Sequence, residues 1–327
     1  MKKVLIVIFL SFLLFATIII CLGIGPTGIS YKFLSGIIDN KSESIIIYEV
    51  RLPRILGALL VGMGLAAAGC VLQAILRNPL AEPYTLGISG GAALGVTLVL
   101  IIPFLSTIPI FIGTLPVAAF IGAIISIAII YIISSRHHFS VSSLILSGVV
   151  LSFICSSLIL LVFTISKPTE IQSVLFFLMG NFATINYSLI KTISVPIIIS
   201  IILLIILARD IDVLTLGDEK ASHLGVSART MRQFLFIITS LMTGCCVAAA
   251  GMVGFVGLMM PHIMRAIIGP KQQLLIISSC ISGAVFLIIC DTLARTAIAP
   301  AELPVGVITG VIGGLFFIGI IIHAKTI

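Results

Sequence analysis

The sequence predicts an all-α, polytopic membrane protein with about ten transmembrane helices, and three observations carry that prediction. Of the 327 residues, 60% are hydrophobic and only 9% charged, where a soluble domain carries roughly 25% charged residues; the mean hydropathy is +1.36. The apolar residues fall in unbroken runs of roughly 17 to 25, the length a helix needs to cross about 30 Å of hydrocarbon. No window of about ten residues alternates apolar with polar side chains as a membrane-barrel strand does. Helices remain, because they satisfy their own backbone polar groups in lipid.

The first run, in "MKKVLIVIFLSFLLFATIIICLGIG", follows two lysines as a signal peptide would. It is too long for one and lacks a small-x-small cleavage site. Ile20 is also large where a lipoprotein signal places a small residue. It is read as a spanning helix at 4–24. Nine further spans are expected near 54–76, 86–103, 113–134, 141–164, 192–208, 232–251, 253–268, 273–293 and 303–323. An even count puts both termini on one side. With Lys2 and Lys3 inside, the inner loops hold 11 of the 18 basic residues, so the positive-inside bias favours cytoplasmic termini. The same bias accounts for the net charge of +7 without nucleic acid as a partner. Seven cysteines without C-x-x-C spacing read as small buried hydrophobes.

Two stretches are polar. The outer one, 25–54, ends in Arg51 and Arg54 around Pro53; the inner one, 208–232, is the most hydrophilic part of the chain. Between the second and third spans, "RNPLAEPYTLGISGGAALG" interrupts the hydrocarbon. It reads as an inner turn, with Arg77 and Glu82 at the cytoplasmic boundary, Pro79 and Pro83 stopping helix continuation, and glycines letting the next helix pack closely.

An internal repeat is visible. "GMGLAAAG" at 62–69 and "GCCVAAAG" at 244–251 share G-x-x-x-A-A-A-G, and the same offset pairs Pro79 with Pro261. The halves, about 51–190 and 232–323 of a single transmembrane domain 1–327, would run in opposite senses through the membrane, as inverted repeats do in transporters. Close packing of small residues would give the same pattern by chance, and duplication is the favoured reading.

Few residues suggest chemistry. Asp291, with Arg295 one turn later, is the one convincing ionisable group inside a span, and the i to i+4 spacing favours a local ion pair over a proton relay. His137 and His138 are adjacent and point apart on a helix, so no metal site is expected. His262, after Pro261, either lines a pathway or packs, and packing is favoured. No lysine follows a glycine, so the chain has no phosphate loop; it binds no cofactor itself, and any ATP would be held by another subunit. In the inner stretch, Thr215 and Asp218 have capping-box spacing and Gly225 is a helix stop. They predict a helix over 217–224 that either docks Leu216 and Leu224 on a partner or rests on the membrane as a connector. Arg51, Arg54 and Arg295 either anchor helix ends or gather as a patch for carboxylates.

"RLPRILGALLVGMGLAAAGCVLQAILRNPLAEPYTLGISGGAALG", "LGDEKASHLGV", "GFVGLMMPHIMRAIIGP" and "DTLARTAIAPAELPVGVITGVIGGLFFI" resemble, in order, the FecCD family: permease subunits of bacterial ABC importers for iron siderophores, haem and vitamin B12. The resemblance implies ten helices per subunit and a dimer with a second copy or a similar permease. It also implies two cytoplasmic ATPase subunits holding ATP and Mg, and an extracytoplasmic substrate-binding lipoprotein. It makes Leu216, Gly217, Asp218, Glu219, Ala221, Leu224 and Gly225 the coupling helix in the ATPase cleft. Arg51, Arg54 and Arg295 become receivers of the binding protein's acidic residues. Asn78, Pro79, Pro261 and His262 are expected along the pathway or its hinge. The substrate expected first is an iron(III)-siderophore, with haem or cobalamin as the alternative. An ion-coupled secondary transporter or a membrane enzyme is a remote one.

Overall fold

The structure is a computed structural model and describes residues 2–25, 41–106 and 115–323. Most of the outer polar stretch, 26–40, and Lys325 lie outside the described residues. In chain order the helices are α1 Lys2–Gly23, α2 Lys41–Ile45, α3 Leu52–Ile75, α4 Ile88–Ile101, α5 Pro103–Ser106, α6 Leu115–Arg136, α7 Val141–Thr164, α8 Pro168–Leu178, α9 Tyr187–Ile206, α10 Ala208–Thr215, α11 Asp218–His223, α12 Ala228–Ala250, α13 Val256–Ile268, α14 Gln272–Thr296 and α15 Val305–His323. A π turn, Ile46–Arg51, joins α2 to α3, and a 3-10 turn, Pro83–Leu86, precedes α4. Among the described residues there is no strand, only one isolated bridge between Ile298 and Ala301.

Among the described residues, eight helices are long and apolar enough to cross a membrane, and two shorter ones, α4 and α13, complete the ten predicted spans. Side-chain caps open three of the long helices: Ser140, Asn186 and Ser227 accept from the backbone N–H three residues on, satisfying donors that the first turn leaves over.

The bundle is built around α3. With its lead-in it is 83% buried over its most apolar window, against 17% for α1 and α15. Its small residues explain the position. A Cβ on Gly62 would lie 2.4 Å from the Gly283 carbonyl oxygen of α14, and one on Gly69 would lie 1.9 Å from the Gly257 carbonyl oxygen of α13. Lipid tails are as apolar as leucine, so close backbone approach and dispersion hold such helices together. Outer helices turn Phe12, Phe153, Leu160 and Ile321 outward, as lipid solvent requires.

α4 and α13 are short for a physical reason. At 14 and 13 residues they span roughly 20 Å, short of a bilayer's roughly 30 Å. Limbs without α-helix supply the remainder: 78–87, which includes the 3-10 turn, climbs back from the end of α3, and 251–255 descends from the end of α12. The limbs meet inside the bundle, where Gly257 abuts Leu65 and Gly69 of α3. Glu82 is buried there. The boundary position expected for Glu82 is therefore corrected; only Arg77 stays at the exposed end. Irregular backbone survives at such depth only when buried in protein.

Candidate functional site

The end of the bundle carrying α11 is termed the lower end and the opposite one the upper. At the lower end α11 is held from two sides. Asp218 pairs with Arg77, at the turn after α3, and with Arg232 of α12 at 2.8 Å. Arg232 also donates to the Phe139 carbonyl in the α6–α7 turn, 2.9 Å away. Asp218 thus ties three elements to α11. The capping box is not realised: Gly217 is the N-cap without a side-chain bond, and Thr215 donates to the Asp212 carbonyl. Two guanidinium groups compete better for the Asp218 carboxylate than a neutral backbone N–H does. Gly217 and Gly225 take positive φ, 110° and 83°, which glycine adopts without strain. Ala221 is buried, whereas Leu216 and Leu224 are 54% and 61% exposed; Glu219 and Lys220 are exposed beside them. α10 anchors the assembly, burying Ile211 and Leu214, and Asp212 accepts from the Gln272 N–H at the start of α14.

Pro261 lies inside α13 and has no N–H, which leaves the Gly257 carbonyl without its helical donor. Gln73 of α3 fills that gap, its Nε2 lying 3.2 Å from the Gly257 oxygen and 3.3 Å from that of Leu258. Its Oε1 accepts from Arg265 at 3.0 Å. Sequence reasoning missed Gln73, although a lone amide in an apolar helix is itself a signal. His262 packs edge-on between Phe316 and Phe317 of α15. Pro79 sits in the turn after α3 beside Asn78, whose side-chain oxygen accepts from the Leu80 N–H. Pro79 and Pro261 therefore stand in different surroundings, one in a turn and one inside a helix.

At the upper end the three predicted arginines come together but lie buried: Arg51, Arg54 and Arg295 are 2%, 4% and 3% exposed. Arg54 grips Asp291 at 2.9 Å and Glu302 at 2.8 Å. Arg295 meets the other Asp291 oxygen at 3.1 Å, an ion pair by distance without hydrogen-bond alignment. Asp291 is thus shared between two guanidinium groups. Arg51 donates to the Leu22 and Gly23 carbonyls at the end of α1, where the helix dipole favours a cation. Sequence reasoning found the Asp291–Arg295 pair and missed Arg54 and Glu302 as its partners.

Near the same end a cavity of about 470 Å³ opens between the start of α6, α8, the start of α9 and the end of α12. Ser173, Asn181, Thr184 and Thr192 supply hydroxyls and amides, and Phe176 and Phe177 supply aromatic surface. Among the described residues, no charged side chain lines it.

Residues 13–323 match the FecCD transport family. The chain belongs to that family. It is 35% identical to the hemin transport system permease protein HmuU of Yersinia pestis over 97% of this chain and 96% of the relative. It is 36% identical to the Fe(3+)-citrate import system permease protein YfmE of Bacillus subtilis over 94% and 93%. A solved structure of a metal-chelate type ABC transporter in an inward-facing conformation superposes with a TM-score of 0.86 at 33% identity, covering 97% of this chain and 98% of that one. As a FecCD-type ABC importer permease the chain is a multi-pass membrane subunit, a kind that works with ATPase subunits and a substrate-binding protein.

Proposed function

We propose that this chain forms the translocation pathway of an ATP-driven importer of iron(III)-siderophore complexes. The observation that carries the reading is the pair of near-full-length relatives named for iron-containing cargo, hemin and Fe(3+)-citrate. The upper cavity supports it: its described lining of hydroxyl, amide and aromatic surface suits a bulky chelate that must pass without being held. Haem is the second reading, favoured by the Yersinia relative.

In this reading the lower end is cytoplasmic, and α11 enters the cleft of one of two ATPase subunits through Leu216, Glu219 and Leu224. A second permease, identical or similar, completes the pathway. Asn78, Pro79, Pro261 and His262 flank the two limbs and flex with them. At the upper end a binding protein docks by exchange: its carboxylate replaces that of Glu302, whose side chain is 41% exposed, on Arg54. The five spans up to α7 measure 22, 24, 14, 22 and 24 residues, and the five from α9 on 20, 23, 13, 25 and 19. A short third helix in each set supports an inverted duplication.

The test is uptake by vesicles holding the permease, its ATPase subunits and the cognate binding protein. The panel is a ferric hydroxamate, a ferric catecholate, hemin and cobalamin. ATP-dependent accumulation of a siderophore complex is the expected result. Uptake of hemin or cobalamin alone overturns the substrate, and uptake driven by an ion gradient without ATP overturns the class.

A further inference from the structure

The two limbs touch through side chains that the transport reading above leaves unused. Oε1 of Glu82 accepts from the Phe255 N–H, and the Tyr84 hydroxyl accepts from the Val253 N–H, both at 2.5 Å. Phe255 is the residue before α13 and holds a left-handed φ of 67°, a conformation uncommon for any residue but glycine. Its ring is fixed as well. A Cβ on Gly313 of α15 would fall 2.3 Å from it, and the Phe317 ring lies 6.4 Å away between centroids. The first limb thus holds the backbone of the second in an unfavourable conformation, where the two crossings interrupt their α-helices.

The charge at this point is informative. Half-helix starts inside a transporter present a positive dipole end that can receive an anionic group of the substrate. Here a carboxylate from the other limb occupies that end of α13. The start of α13 is therefore closed to an anion for as long as Glu82 stays in place, and leaving it requires either another partner or exposure to water.

We infer that Glu82, seconded by Tyr84, is a positioning residue that locks the first interrupted crossing to the second, and that this lock must release when the pathway changes its facing direction. Glu82 acts through the backbone of 253–255 and needs no contact with the substrate. The inference rests on the transporter reading for one arm of its test only.

Gly254 supplies the probe site. A Cβ there would meet nothing closer than the Glu82 carboxylate oxygen at 3.9 Å, so Gly254→Cys fits the structure. In a complex whose permease is otherwise free of cysteine, maleimide labelling at 254 reports opening of the joint without any substrate. Glu82→Ala is expected to raise the labelling rate of the resting complex about tenfold, the population change that loss of one charge-assisted hydrogen bond brings. Glu82→Gln keeps a carbonyl acceptor and should restore part of the protection. In the second arm, ATP hydrolysis without binding protein should rise in Glu82→Ala while uptake per ATP falls; general destabilisation would lower both. Tyr84→Phe removes one oxygen atom and gives the same two readouts if Glu82→Ala fails to assemble. Equal labelling in parent and variants assembled to equal yield overturns the lock. A parent complex that hydrolyses no ATP counts instead against the proposed function and leaves the labelling arm standing.

Discussion

Asp291 faces two guanidinium groups, and all three side chains are buried, which fixes what its replacement should do. Removing one partner of a buried ion pair leaves an uncompensated charge, at a cost of about 3–5 kcal/mol. Asp291→Ala should therefore lower thermal stability in detergent far more than Glu302→Ala, because the Glu302 side chain is 41% exposed. Equal shifts in melting temperature for the two variants would contradict this ranking. Gln73→Leu makes a second case. It keeps the volume and strips the Gly257 carbonyl of its donor, so a loss of about 1–3 kcal/mol is expected, together with release of Arg265. Pro261→Ala in the Gln73→Leu background supplies a backbone N–H again and should recover part of that stability in the same melting experiment. Asp291 with Arg295 was legible in the sequence because the partners lie four residues apart on one helix. Arg54 with Asp291, 237 positions apart, was not, since helical periodicity encodes which face a residue lies on and not which distant helix it will meet.

At the scale of elements, run length and breakers gave ten spans, and ten helices correspond to them. They did not separate a full crossing from a half-helix completed by an extended limb, because both are apolar and similar in residue count. Glu82 is the instructive case: a charge beside two prolines reads as a surface turn, and only the tertiary contact with Phe255 makes it an interior residue. α11 was legible from composition, though its expected cap was not, since Arg77 and Arg232 reach Asp218 from outside the local sequence. Two predictions belong to this scale. Glu219→Ala with Leu224→Ala, on the exposed side of α11, should leave the permease folded and abolish ATP-driven uptake; wild-type uptake with normal ATPase binding would count against the coupling assignment. Gly69→Leu drives a side chain into the Gly257 backbone and must separate α3 from α13. Yield of folded protein, measured by size-exclusion chromatography, should collapse for Gly69→Leu and hold for a leucine at Gly310, where a Cβ meets nothing within 4 Å.

The whole molecule is organised by the difference between its axis and its rim. α3 spends its surface on other helices, while α1 and α15 leave most of theirs exposed. Orientation is tested directly by single cysteines at His137 and at Glu302, at opposite ends of the bundle. In intact cells, a membrane-impermeant maleimide should label position 302 and spare position 137. The reverse pattern would turn the protein over in the membrane. The substrate was the least legible property at every scale, because the cavity lining offers generic hydroxyls, amides and rings instead of a signature for one chelate.

The Arg54–Asp291 pair also sets a timetable for biogenesis. The arginine leaves the ribosome 237 residues before its counter-ion, a delay of roughly ten to fifty seconds at about 5–20 residues per second. Through that interval α3 is an apolar helix with an unneutralised cation near one end, stable only if the guanidinium reaches the membrane–water interface.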